Sequence, residues 1–178
     1  MNFKDKFLSN IPFLGWRAIK TSIAIFICMV VFEAINRPNP LYACIAAVLS
    51  MQNTLDDSID IGVNRMIGTG VGGFLGIVFF IVGMNIPFRV FYLLFAAFGT
   101  LCVIYANILL KKPSAISISI VVFLVIMINI DADGSKNMMD AFTYAINRML
   151  DTGFGIIVAV TLNATVKRYK IRNSENSE

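Results

Sequence analysis

The stretch from Asn64 to Val82, N-R-M-I-G-T-G-V-G-G-F-L-G-I-V-F-F-I-V, constrains the fold more than any other part of the chain. It opens on an arginine, carries glycines at 68, 70, 72, 73 and 76, and closes on an unbroken apolar run. Gly68, Gly72 and Gly76 fall four apart and share one face of a helix. In water each glycine would cost such a helix about 1 kcal/mol relative to alanine. In lipid the same spacing lets a second helix backbone approach closely. The segment reads as a transmembrane packing helix. Its opening returns later, as Asn147-Arg148-Met149-Leu150-Asp151-Thr152-Gly153-Phe154-Gly155.

Composition agrees with a membrane reading. Of the 178 residues, 57% are hydrophobic and 15% charged, against about half and a quarter in soluble domains. Mean hydropathy is +0.76, and several continuous runs approach the roughly 20 residues that cross a bilayer. Continuous runs exclude a β-barrel, whose strands alternate. The net charge of +4 does not imply nucleic acid, because the basic residues sit between the apolar runs and set orientation. The N-terminus lacks the pattern of a cleavable signal peptide. Cys28, Cys44 and Cys102 lie in apolar segments and read as free thiols. With no histidine, no nucleophile elbow and no metal-ligand cluster, the chain reads as neither enzyme nor metalloprotein, and no cofactor is expected.

In order, residues 1–14 suit an amphipathic segment at the membrane surface, and Trp16, Arg17 and Lys20 mark an interface. The first span covers about Ala18 to Ile35, and Arg37-Pro38-Asn39-Pro40 breaks it. Leu41 to Met51 is a short second span. Thr54-Leu55-Asp56-Asp57 is an N-cap signature for the third helix. Spans four and five cover Phe88 to Leu110 and Ser114 to Ile130, separated by Lys111-Lys112-Pro113. After a polar loop from Asp131 to Lys136, a long helix runs to Val166, and residues 169–178 read as a disordered cytoplasmic tail.

The expected fold is therefore all-α, with six transmembrane helices in a domain over residues 15–168. Placing both termini in the cytoplasm of a bacterial-type plasma membrane puts eleven basic residues inside and four outside. The echo divides the domain into repeats over about 15–83 and 88–168. With three spans each, the repeats must be inverted, an arrangement that puts transporter sites near the midplane.

Three motifs in order carry a family resemblance: Gly15-Trp16-Arg17-Ala18-Ile19-Lys20-Thr21, Ala46-Ala47-Val48-Leu49-Ser50-Met51-Gln52-x-Thr54 and Asn64-Arg65-Met66-Ile67-Gly68-Thr69-x-x-Gly72. Together they resemble the aromatic acid exporter family of the fusaric-acid-resistance-like superfamily, to which plant aluminium-activated malate channels also look related. The resemblance implies a six-helix membrane domain that exports or conducts organic anions. The alternative from another class is a non-transporting scaffold or subunit of a larger assembly.

Candidate site residues follow from the repeat. Arg65 and Arg148 are either interfacial anchors, one near each membrane face, or guanidiniums that draw a carboxylate inward. Arg37 and Lys111 stand at the starts of the second and fifth spans, where helix dipoles favour an anion. Gln52 and Asn53 end the short second span, with their counterparts expected near Asn129. Asp151 and Glu33 are candidates for a coupling proton, Asp151 having a local ion pair with Arg148 as its plainer reading. Phe79, Phe80, Phe91 and Phe95 offer a surface for an aromatic body, favouring aromatic or apolar monocarboxylates over malate. Gly68, Gly72, Gly76 and Gly153 are packing positions, within the chain or across a homo-oligomer, with a dimer favoured. Lipid and a small organic anion are the other expected partners.

Overall fold

A computed structural model describes residues 16–37, 39–86, 88–132 and 138–175. They form α1 (Trp16–Ala34), α2 (Leu41–Ser50), α3 (Leu55–Gly83), α4 (Arg89–Leu109), a 3-10 turn (Pro113–Ala115), α5 (Ile116–Ala132) and α6 (Met138–Glu175), with no strand among the described residues. Among the described residues, three helices are long and apolar enough to cross a bilayer: Leu55–Gly83, Arg89–Leu109 and the Met139–Val166 part of α6. Leu41–Ser50 and Pro113–Ile128 are apolar but shorter. The amphipathic segment expected over 1–14 lies outside the described residues, as does most of the loop before α6.

Local chemistry fixes the helix ends. The Thr54 side chain accepts a hydrogen bond from the Asp57 backbone N–H at 3.1 Å, and Asp56 and Asp57 occupy the first turn of α3. The cap satisfies a free donor, and the carboxylates meet the positive end of the helix dipole. Helices α1 and α4 stop in the same way. Asn36 and Lys111 take left-handed backbone angles, with φ of 50° and 55°. The next amide then reaches back five residues, Arg37 N–H to Phe32 O and Lys112 N–H to Asn107 O, each at 3.0 Å. This is a Schellman closure, here made without glycine.

Helices α3 and α6 form the central pair and run antiparallel. Gly62 lies against Ile156, Gly70 against Met149 and Gly73 against Ala145, so positions rise on one helix as they fall on the other. The Gly68, Gly72 and Gly76 face turns away from α6 and packs on α5. A Cβ on Gly72 would strike the Ser119 backbone, and one on Gly68 would lie 2.7 Å from the Ala115 carbonyl oxygen. Gly155 of α6 meets the Ala43 carbonyl of α2 equally closely, while Gly153 faces Met66 of α3. The glycine face is thus occupied within the chain.

Two apolar cores result. One joins Phe80 of α3 and Ala141 of α6 with Tyr92, Ala96 and Val103 of α4 and Val122, Phe123, Ile126 and Met127 of α5. The other joins Val158 and Ala159 of α6 with Ala24, Cys28 and Phe32 of α1 and Ala43, Ala47 and Met51 of α2. So α3 packs beside the helices that follow it, and α6 crosses back to the first two. A buried joint holds α4 to α5: Asn107 Nδ2 donates to Ser119 Oγ at 2.9 Å and to Val103 O at 2.8 Å. Helix α6 also continues to Glu175, through most of the stretch expected to be disordered. Extending an existing helix fixes one residue per new hydrogen bond, far cheaper than nucleation.

Candidate functional site

The α1–α2 turn, the start of α2 and the middles of α3 and α6 bring polar groups together, some buried and some at the bundle surface. Arg37 leaves the Schellman turn and reaches α6. Its Nη2 donates to Asn147 Oδ1 at 2.9 Å and lies 3.0 Å from Asp151 Oδ1. The Asp151 contact is an ion pair without an aligned hydrogen bond. The Arg37 guanidinium carbon also stands 5.8 Å from the centre of the Phe32 ring.

One turn away, the Arg148 guanidinium stacks on Tyr42 of α2, 3.2 Å from the ring centre. Tyr42 meets Tyr144 edge to face, ring centres 6.3 Å apart and hydroxyls 3.4 Å apart. Stacking engages the face of a guanidinium and leaves its edge N–H groups for other partners. Here the edge is not satisfied: Arg148 Nη1 is buried without a hydrogen-bond partner.

Arg65 completes the group from α3. It is only 9% exposed, and its Nε is likewise buried without a partner. Arg65 stands ten residues beyond Leu55 and Arg148 ten beyond Met138, each about 15 Å of axial rise inside its helix. Because Met66 faces Gly153, Arg65 is level with the part of α6 about one and a half turns beyond Arg148, an axial offset of about 9 Å.

The charges do not balance. Among the described residues Asp151, which is 6% exposed, pairs with Arg37, while Arg148 lies on the same helix and Arg65 on the facing helix α3. Burying a charge without a counter-charge or hydrogen bonds is costly. The ion pair of Asp151 among the described residues is with the long-range partner Arg37, where the sequence suggested its helix neighbour Arg148.

The other sequence candidates lie elsewhere. Glu33 is exposed near the end of α1, and Lys111 is exposed in the α4–α5 turn. Gln52 caps its own helix, its Nε2 donating to Leu49 O at 2.9 Å, and Asn53 is exposed. Asn129 lies outside the residues whose side chains are described. Phe79, Phe95 and Phe123 pack on one another with ring centres 5.0 and 5.6 Å apart, Phe80 is buried in the core, and Phe91 faces outward. Tyr42 and Tyr144 were not expected. The spacing Tyr144, Arg148, Asp151 along one helix face carried the signal for Tyr144. For Tyr42 nothing in the sequence did, since its contact spans over a hundred residues.

A second polar group joins α1, the α2–α3 turn and α6 at the end where α1 begins. Lys20 Nζ donates to Asn163 Oδ1 at 2.8 Å. Asn163 Nδ2 lies within hydrogen-bond range of Gln52 O, Thr54 O and Ser58 Oγ, at 3.1, 2.9 and 2.9 Å. Arg17 Nε donates to Met51 O at 2.9 Å.

Residues 13–166 match the family model described as aromatic acid exporter family member 1. No curated protein and no solved structure gives a significant match.

Proposed function

Since the chain belongs to the aromatic acid exporter family, a family of membrane exporters, we propose that it carries aromatic monocarboxylates through the α3–α6 seam. The observation that carries this reading is the pair Arg65 and Arg148, the first buried and the second half-buried, each with a buried, unpartnered N–H and no ion-paired carboxylate among the described residues. A substrate carboxylate lying between them accepts both free N–H groups. Charge-assisted hydrogen bonds of this kind are about twice as strong as neutral ones. Tyr42 holds the face of Arg148, so the guanidinium edge is presented in one orientation. Asp151 holds Arg37 and limits the excess positive charge, which suits one carboxylate better than the two of malate.

The proposal includes six spans in two inverted repeats, with both termini cytoplasmic. Its supports are paired features of the halves. The Schellman turns at Asn36 and Lys111 are 75 residues apart, as are the starts of α2 and α5. The contact of Gly70 with Met149 has its counterpart in Gly153 with Met66, since each glycine and each methionine pair is 83 residues apart. Each central helix also packs on the short apolar helix of the other pair, α3 on α5 and α6 on α2. In an inverted repeat, Arg65 and Arg148 are equivalent and face a shared midplane site from opposite sides.

The test is uptake of labelled benzoate against malate into proteoliposomes, with Arg65→Gln and Arg148→Gln beside wild type. Benzoate flux above empty vesicles, reduced about tenfold or more in either variant, is the expected result, since a hydrogen bond to a charged group is worth about 1.5–3 kcal/mol. Equal flux in all three proteins, or none above empty vesicles, would sink the reading and leave a scaffold role.

A further inference from the structure

The Lys20 group does something the fold does not require, and the other half of the chain makes this visible. Where Arg17 of α1 donates to the Met51 carbonyl at the end of α2, the residue 75 positions on is Tyr92 of α4. Its hydroxyl donates to the Met127 carbonyl of α5 at 2.7 Å, one residue past the counterpart of Met51, closing the related joint without charge. The counterpart of Lys20 by the same spacing is Phe95, and the counterpart of Asn163, 83 residues earlier, is Phe80. Both belong to the aromatic and aliphatic packing of that end. One end of the bundle is therefore sealed by rings, while the related end carries a lysine, an arginine and an asparagine.

Lys20 is 8% exposed, and no carboxylate lies within ion-pair distance of it among the described residues. An ammonium has three donors, and a neutral amide oxygen answers one of them. Asn163 has nothing left to give, because its Nδ2 is already turned to Gln52, Thr54 and Ser58. A buried cation that a phenylalanine replaces in the matching joint is surplus to packing, and among the described residues no carboxylate compensates its charge.

We infer that Lys20, oriented by Asn163, is a second carboxylate-binding site, which receives the substrate at the α1-start end before it reaches Arg65. The inference rests on the carboxylate pathway proposed above. The geometry suits a relay. Asn163 stands fifteen residues beyond Arg148 on α6, about 22 Å, and Arg65 is level with a point between them. Lys20, Arg65 and Arg148 thus form successive cationic steps along one seam, with the ring-packed end beyond.

The test separates the charge from the hydrogen bond. Lys20→Gln keeps an amide donor for Asn163 Oδ1 and removes the charge; Lys20→Arg keeps the charge. Each is reconstituted with wild type, and benzoate flux is measured against concentration added on the side where α1 begins. The thermal midpoint of each purified protein is measured in parallel. Loss of a charge-assisted contact predicts a half-saturation concentration about tenfold higher in K20Q, with maximum flux and thermal midpoint near wild type and K20R close to normal. Lower maximum flux at unchanged half-saturation, or a fallen thermal midpoint, assigns Lys20 to structure and overturns the site. Flux is compared in zwitterionic vesicles and after adding phosphatidylglycerol. A Lys20 effect confined to the anionic vesicles assigns the ammonium to a headgroup phosphate and also overturns it. Wild type without flux removes the carboxylate pathway itself, whereas wild-type flux with an unchanged K20Q half-saturation removes only the Lys20 site.

Discussion

Single residues in this bundle are set by what their neighbours leave unsatisfied. Arg37 answers Asn147 and Asp151; Arg65 and Arg148 answer nothing with their buried Nε and Nη1. On the proposed pathway, Asp151 competes with a substrate carboxylate for this positive charge. Asp151→Asn should lower the half-saturation concentration for benzoate several-fold, because removing one buried negative charge leaves the three guanidiniums with more net attraction. Flux titrations of the variant beside wild type check this, and weaker apparent binding would refute it. Tyr42→Leu should act oppositely. It removes the ring beneath Arg148, worth about 0.5–2 kcal/mol in stacking, and so should raise half-saturation several-fold.

At the scale of helices, close backbone approach is what the glycines provide, and it is specific to position. Gly72 meets the Ser119 backbone, whereas a Cβ on Gly70 would meet only the Met149 methyl group at 3.8 Å. Gly72→Ala should destabilise by about 1–3 kcal/mol through forced helix separation. Gly70→Ala should be neutral or slightly stabilising, given the helix propensity of alanine. Thermal unfolding in detergent distinguishes them, and equal shifts would contradict the packing account. The Asn107–Ser119 joint is a second test between elements. Asn107→Leu should cost about 0.6–1.7 kcal/mol, the range for hydrogen bonds between membrane helices.

The whole molecule is two small apolar cores joined along the antiparallel α3–α6 seam, with the polar groups gathered in and beside that seam. If six helices cross the membrane, the α3–α4 and α4–α5 connections open on opposite sides. In a protein with Cys28, Cys44 and Cys102 replaced, an external thiol reagent should label a cysteine at Asn85 and spare one at Lys111. Labelling of both from outside would refute the six-span orientation. Much of this was written in the sequence. Hydropathy marked the spans, Thr54 and Asp57 the start of α3, and the Asn-Arg-Met echo the two helices that became the central pair, because these signals are local and periodic. Tertiary structure alone decided the rest. It placed Arg65 and Arg148 on the paired helices α3 and α6, turned the Gly68–Gly76 face onto α5, gave Asp151 to Arg37, and laid Tyr42 under Arg148. Each depends on the register and rotation of helices far apart in the chain, which short-range spacing does not encode.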